Sequence, residues 1–141
     1  ILPAGFNLPV DLNGPGMAEI CRSVDPFELI LGGLQSFTSC PCFEVQDSTA
    51  SLLMLRKKLK RIMCDPICIQ NDQTYFAHVT VGLYDDEYPT QQLAKLMDQF
   101  EFKPVKPILV SEFVLASYGS SSIGGPIEVV AEFSLGSNNG S

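Results

Sequence analysis

Residues 76–83 read Phe-Ala-His-Val-Thr-Val-Gly-Leu, an alternation that predicts the middle of a β-strand running from Tyr75 to Tyr84. Successive side chains of a strand point to opposite faces, so one face should be apolar and buried. That face would carry Ala77, Val79, Val81 and Leu83. The opposite face would carry Phe76, His78, Thr80 and Gly82. An imidazole and a hydroxyl therefore stand side by side, with open space above the glycine.

This pair of side chains is suited to acid–base chemistry on a phosphoryl group. The imidazole of a histidine such as His78 can give or take a proton. The hydroxyl of Thr80 can bind a phosphoryl oxygen or stabilise a transition state. A lone His-x-Thr is nevertheless a weak pattern, and by itself it is more typical of a packed or surface histidine without a catalytic role.

The rest of the chain predicts an α+β fold, an antiparallel sheet with helices on one side. Helices and strands mix without strict β-α-β alternation, and the glycines form neither GxGxxG nor GxxxxGK[ST]. Helices are predicted over Met17–Val24, Ser48–Met63 and Pro89–Phe100. Further strands are predicted over Phe27–Leu31, Cys42–Gln46, Val105–Ser117 and Ile127–Leu135, with the last two forming a hairpin around a loop at 119–126.

Three local details of these elements can be tested. Gly32 and Gly33 should break the first strand. The helix from Ser48, its predicted N-cap, should bury Leu52, Leu55, Leu59 and Ile62 on one face. The helix that begins at Pro89 or Thr90 should place Leu93, Leu96 and Met97 inward.

The bulk composition limits the organisation of the chain and its partners. With 141 residues, 45% of them apolar, it fits one domain over 1–136 followed by a flexible tail at 137–141. A net charge of −7 argues against a broad surface that neutralises nucleic-acid phosphates, but it leaves room for a nucleotide or a single RNA end in a local pocket. No run of about 18 apolar residues predicts a membrane span. Five cysteines, an odd number, favour a reducing, cytoplasmic compartment.

The order of these elements resembles a known family. Pro26–Phe37 is similar to the "PF-L-L-G-L-F" strand of the two-histidine (2H) phosphoesterases, the superfamily of 2′-5′ RNA ligase-like proteins and cyclic phosphodiesterases. A strand and the helix with Leu52, Leu55 and Leu59 follow, as in that family. The run 77–81 resembles its second His-x-Thr motif, with Ala77 in place of the usual proline. Residues 115–117 and 132–135 resemble its closing strands.

The resemblance implies a bilobal fold and a metal-independent phosphodiesterase without a cofactor. Two histidines would act as general base and general acid on a 2′,3′-cyclic phosphate or a 2′-5′-linked nucleotide or RNA end. His78 and Thr80 are the expected catalytic residues, and Phe76, Tyr84 and Tyr118 are candidates for substrate binding. The chain holds one histidine, so the first His-x-Thr/Ser motif either lies upstream of Ile1 or has been lost. The chain is therefore expected to be catalytically impaired, or to be a non-catalytic nucleotide-binding or protein-interaction relative.

Three other clusters have ordinary explanations. Cys40, Cys42, Cys64 and Cys68 could supply zinc ligands, but their C-x-C and C-x₃-C spacings miss the usual C-x₂-C pairs, so buried free thiols are favoured. The basic run 56–61 is more typical of a solvated helix face than of an RNA-contacting edge. The acidic run 85–87 is more typical of turn and helix-start charges than of a cation site.

Overall fold

The structure, a computed structural model, describes residues 14–63, 75–119 and 125–136. Within these ranges the helices are α1 (Pro15–Ser23), α2 (Ser51–Met63) and α3 (Thr90–Gln99). The strands are β1 (Phe27–Ser36), β2 (Pro41–Gln46), β3 (His78–Thr80), β4 (Ile108–Val110), β5 (Glu112–Tyr118) and β6 (Ile127–Ser134). The pairs β1–β2, β2–β3 and β5–β6 are antiparallel, which confirms the α+β prediction. One sheet has the order β3-β2-β1-β4, and the other is the β5–β6 hairpin.

The chain divides into two compact units, one of residues 1–27, 49–71 and 109–141, the other of residues 28–48 and 72–108. In the first unit, α1 packs on α2. The inner side of α1 buries Met17, Ile20 and Cys21. The predicted apolar face of α2 is confirmed, with Leu55 and Leu59 buried and Leu52 and Ile62 half-buried.

The start of α2 differs from the prediction. The helix begins at Ser51, so Ser48 is not its N-cap but part of the preceding turn. Ala50 has a φ of 57°, and its carbonyl accepts the hydrogen bond from the Met54 N–H at 2.9 Å. The left-handed residue therefore turns the chain just before the first helical hydrogen bond forms.

The β5–β6 hairpin is confirmed, but the predicted strand 105–117 is divided into β4 and β5 at Ser111. The carbonyl of Ser111 accepts a hydrogen bond from the Leu135 N–H at 2.8 Å. Phe113 and Phe133 lie opposite each other, and their rings stack with centroids 5.0 Å apart. Residues 120–124 of the predicted loop and the tail from 137 lie outside the described residues.

After the hairpin the chain closes onto α1. Gly136 has a φ of 66°, and its N–H donates to the carbonyls of Cys21 at 2.8 Å and Val24 at 3.0 Å. These carbonyls belong to the C-terminal turn of α1, where helical acceptors have no partner within the helix. Gly136, in the turn after β6, thus supplies the hydrogen-bond donor for carbonyl groups at the C-terminal end of α1.

In the second unit, the prediction that Gly32 and Gly33 break β1 is wrong. The strand runs through to Ser36, and the glycines lie at a register shift between Leu31 and Leu34. Such a shift is a β-bulge, in which one extra residue bends a strand without ending it. Glycine suits position 32, because a Cβ there would crowd Glu44, at 3.0 Å from its Oε2 and 3.2 Å from its Cβ.

The apolar side of this sheet is covered over β2 and much less over β3. Phe43 of β2 contacts the rings of Phe100 and Phe102, which follow α3, at centroid distances of 6.1 and 5.6 Å. The predicted burial of the alternate residues after Ala77 is wrong. Val79, Val81 and Leu83 are 44%, 51% and 52% exposed, because β3 is a three-residue edge strand.

Helix α3 confirms one prediction and corrects another. It begins at Thr90 with Pro89 as its N-cap residue, as the sequence predicts. Leu93 and Met97 are half-buried, whereas Leu96 is 56% exposed and does not lie on an inner face. None of the helices within the described ranges has the length and apolar character needed to cross a membrane.

Candidate functional site

The site is built on β3, the edge strand of the four-stranded sheet. Its register against β2 pairs His78 with Glu44, Val79 with Phe43 and Thr80 with Cys42. The strand is shorter than the predicted 75–84, but single hydrogen bonds extend it on both sides. The Val45 N–H donates to the Ala77 carbonyl at 3.0 Å, and the Val81 N–H donates to the Pro41 carbonyl at 3.1 Å.

The register defines one polar side of this sheet, which we call the His78 face. It consists of His78, Thr80, Cys42, Glu44 and Gln46, because alternate residues and directly paired residues share a face. The side chains of β3 on this face are exposed. The two functional groups that the sequence predicts side by side therefore lie on one open surface.

Hydrogen bonding orients the imidazole of His78. Its Nδ1 lies 2.8 Å from the backbone carbonyl oxygen of Phe76. Because a carbonyl can only accept, Nδ1 is the donor and carries a proton. In the neutral ring the lone pair is then on Nε2, which can take a proton and later return it. The side chain is exposed and not sealed in apolar packing.

Two phenylalanine rings flank the imidazole. Phe37, just after β1, meets the His78 ring edge-on at a centroid distance of 4.8 Å. Phe76 lies nearly parallel to that ring at 6.2 Å and meets Phe37 edge-on at 5.8 Å. The sequence assigns Phe76 to this group but misses Phe37. No local pattern identifies Phe37, because its approach depends on the β1–β2 register and on the turn closed by its N–H to the Cys40 carbonyl.

The hydroxyl of Thr80 is exposed on the same face and lies 4.0 Å from Cys40 Sγ. Cys42, the cross-strand partner of Thr80, is fully buried, and burial, followed by the neighbouring Cys40, raises the pKa of the Cys42 thiol. Cys40 and Cys42 are free thiols. Among the described residues, apart from the chain neighbours of Gly82, no heavy atom lies within 4 Å of the position that a Gly82 Cβ would take, which confirms the open space predicted there.

The two candidate tyrosines differ in position. Tyr84 is half-buried, and its hydroxyl lies 2.9 Å from Ser36 Oγ at the end of β1. Its ring also meets Tyr88 edge-on at 5.9 Å. Tyr118 belongs to the other compact unit, where it ends β5 opposite Ile127 and is 72% exposed. The structure thus groups Phe76, His78 and Thr80, and a substrate-binding role for either tyrosine stays a prediction.

Two carboxylates of the acidic run 85–87 accept hydrogen bonds from residues that follow them closely in the chain. Tyr88 donates its hydroxyl to Asp85 Oδ1 at 2.7 Å, and Asp86 Oδ1 accepts the Glu87 N–H at 2.7 Å. The hydrogen bond to Asp85, followed by that carboxylate's charge, raises the pKa of Tyr88. Over 14–63, 75–119 and 125–136, no group of three or more His, Cys, Asp or Glu residues could hold a metal ion. Cys64 and Cys68 lie outside those ranges.

The basic run of α2 is less uniformly solvated than predicted. Lys57 and Arg61 are exposed, and Arg56 and Lys58 are half-buried. Lys60 is only 5% exposed, which contradicts a fully solvated face. Lys58 Nζ donates to Ser23 Oγ of α1 at 2.7 Å. This cation therefore links the two helices of its unit.

Comparison with known proteins gives one match. A family model described as the 2′-5′ RNA ligase superfamily matches residues 15–121, most of the chain, including the His-x-Thr strand. The match is consistent with the 2H phosphoesterase superfamily and confirms the resemblance drawn from the sequence. No curated protein and no solved structure matches the chain.

Proposed function

Because this chain belongs to the 2′-5′ RNA ligase superfamily, we propose that its 2H phosphoesterase-type function is metal-independent cleavage of a phosphodiester at the His78 face. The substrate class is a nucleotide or RNA end carrying a 2′,3′-cyclic phosphate or a 2′-5′ linkage. His78 transfers the proton, Thr80 binds a phosphoryl oxygen, and Phe76 contributes to substrate binding.

The orientation of the imidazole is the observation that carries the proposal. With Nδ1 donating to the Phe76 carbonyl, Nε2 is left for substrate on an exposed surface. General acid–base catalysis needs a group within hydrogen-bond reach of the proton it moves, and Nε2 is the ring nitrogen that would move that proton.

The spacing of Thr80 from His78 fits a single phosphoryl group. Residues two apart on a strand are separated by about 6.6 Å and point to the same side. A phosphorus atom above the strand between them can place one oxygen at Nε2 and another at the Thr80 hydroxyl. The absence of any atom near the Gly82 Cβ position, among the described residues, leaves room beside such a group.

Hydrolysis of a cyclic phosphate needs two proton transfers. A base takes a proton from the attacking water as the new P–O bond forms, and an acid protonates the ribose oxygen as the old P–O bond breaks. His78 is the chain's one histidine and supplies one of these groups. Each such group contributes about 10²–10⁴-fold to the rate. Catalysis with His78 alone would therefore be much slower than with both groups.

The test measures hydrolysis of 2′,3′-cyclic nucleotides by the full-length protein, with and without a metal chelator. We expect activity to survive chelation and His78→Ala to lower kcat by about 100-fold or more. Thr80→Val should lower activity by about 10- to 100-fold, because it removes one hydrogen bond to a charged phosphoryl oxygen. Thr90→Val, on the exposed start of α3, is the matched control and should have no effect. An unchanged rate in His78→Ala would refute the proposed role.

A non-catalytic relative is the second candidate, favoured by the single histidine. Such a protein would bind a nucleoside 2′- or 3′-phosphate at the same face without turnover. Calorimetric titration with these ligands separates the two candidates. Binding that depends on Thr80, in a protein with no detectable hydrolysis, would favour the binding module.

A further inference from the structure

Two polar side chains of the His78 face meet above the bulge of β1. Glu44 Oε2 lies 3.0 Å and Gln46 Nε2 lies 3.2 Å from the position that a Cβ of Gly32 would take. Both groups therefore occupy the space that any larger residue at 32 would fill. The glycine at the bulge thus lets a carboxylate and an amide lie close together over β1, on the His78 face of the sheet.

Within the described ranges, neither the carboxylate of Glu44 nor the amide of Gln46 forms a hydrogen bond or ion pair with another side chain. Glu44 is half-buried and Gln46 is exposed. A carboxylate offers only acceptors, whereas an amide offers both donors and an acceptor. Glu44 and Gln46 thus form a short polar edge, in which the carboxylate can accept two hydrogen bonds and the neighbouring amide can donate one.

The distance of this edge from His78 suits one nucleotide. Glu44 of β2 is the cross-strand partner of His78 of β3. Its carboxylate, however, points toward β1, which lies on the other side of β2 from β3. Two strand spacings, about 10 Å, therefore separate the proton-transfer group from the polar edge. A phosphate bound at His78 and Thr80 places its own base within reach of Glu44.

We propose that Glu44 and Gln46 form a base-recognition subsite that selects guanine, an inference that rests on the proposed phosphate site at His78 and Thr80. The carboxylate of Glu44 accepts hydrogen bonds from the N1–H and the 2-amino group of the base. The amide of Gln46 donates to O6. Adenine has no N1–H, and cytosine and uracil cannot offer two adjacent donors, so each of these bases leaves the carboxylate with at least one hydrogen bond fewer than guanine does.

The test compares kcat/KM of the full-length protein for 2′,3′-cyclic GMP, IMP, AMP and CMP. The guanine substrate should be preferred about 10- to 100-fold over adenine, since bidentate recognition of a base edge discriminates by about that much. Inosine keeps N1–H and lacks the 2-amino group, so it should fall between them. Glu44→Gln should remove the preference for the guanine substrate over the adenine substrate.

Asp98→Asn, an exposed carboxylate on α3 in the same unit, is the control for charge and should preserve the preference. Circular dichroism of Glu44→Gln checks that the variant is folded. Equilibrium binding of guanosine and adenosine 3′-monophosphates supplies a second readout that does not need turnover.

The outcomes separate this inference from the proposed function. Hydrolysis of all four substrates at similar rates would overturn the guanine subsite and leave the phosphodiesterase proposal standing. Tighter binding of the guanosine ligand that is lost in Glu44→Gln, without hydrolysis of any substrate, would support the subsite and refute catalysis. Equal binding of both monophosphates by the wild-type protein would overturn the subsite whatever the catalytic result.

Discussion

Replacing Gly136 by alanine tests how the hairpin end is joined to α1. The residue has a φ of 66°, in the left-handed region where a Cβ costs about 1 kcal/mol. The added Cβ would also lie 3.0 Å from Pro26 Cδ. A proline ring cannot swing aside as a flexible side chain can, so this crowding should cost about 1–2 kcal/mol more. We expect Gly136→Ala to lower the free energy of unfolding by about 2–3 kcal/mol.

The assay is urea denaturation followed by far-UV circular dichroism, together with thermal melts. At this chain length the loss corresponds to about 6–10 °C in Tm. Gly136→Asn should retain much of the crowding but less of the backbone strain, because asparagine tolerates left-handed φ, and should fall between alanine and wild type. Gly82→Ala is the control, since no atom lies within 4 Å of its added Cβ. A Gly136→Ala stability equal to that of Gly82→Ala would refute the reasoning.

Two further predictions concern the unit that carries the site. Phe37→Ala removes the ring that meets His78 and should lower kcat/KM for a cyclic nucleotide about 2–10-fold, whereas Phe37→Tyr keeps the ring and the rate. Equal rates in both variants would contradict a positioning role. Tyr88 has a raised pKa, so its bond to Asp85 favours the folded state below about pH 10 and is lost as the pH rises through the raised pKa. Asp85→Asn should move one tyrosine titration, followed at 295 nm, to lower pH, and an unchanged curve would argue against the bond.

The sequence predicts the element order because helix and strand periodicities are local properties. The apolar spacing of α2 and the long β5–β6 hairpin both carry strong signals over many residues, and both are confirmed. Boundaries are less predictable. Ser48 looks like an N-cap by residue type, but the left-handed Ala50 moves the start of α2 to Ser51. The left-handed backbone of Ala50 is set by the surrounding turn, so it cannot be predicted from the residue types at the start of the helix.

Burial on β3 could not be predicted from alternation alone. The pattern correctly places His78 and Thr80 on one face, because alternation follows from strand geometry. It wrongly predicts that Val79 and Val81 are buried, because burial depends on whether another element covers that face. Phe37 was missed for a related reason. Its contact with His78 depends on strand register, which a single-sequence pattern does not encode.

The extra residue in β1 fixes which way the end of that strand faces. Leu31 pairs with Val45, and after the shift Leu34 pairs with Phe43, so three steps on β1 match two on β2. If both glycines were kept without the bulge, strict alternation from Leu31 would place Phe37 on the face of the sheet opposite His78. The bulge absorbs the extra residue, so Leu34 shares a face with Phe43, Gln35 shares a face with Cys42, and Phe37 lies on the side of His78. The one extra residue at Gly32 and Gly33 thus decides whether the ring of Phe37 lies beside His78, two strands away in the sheet.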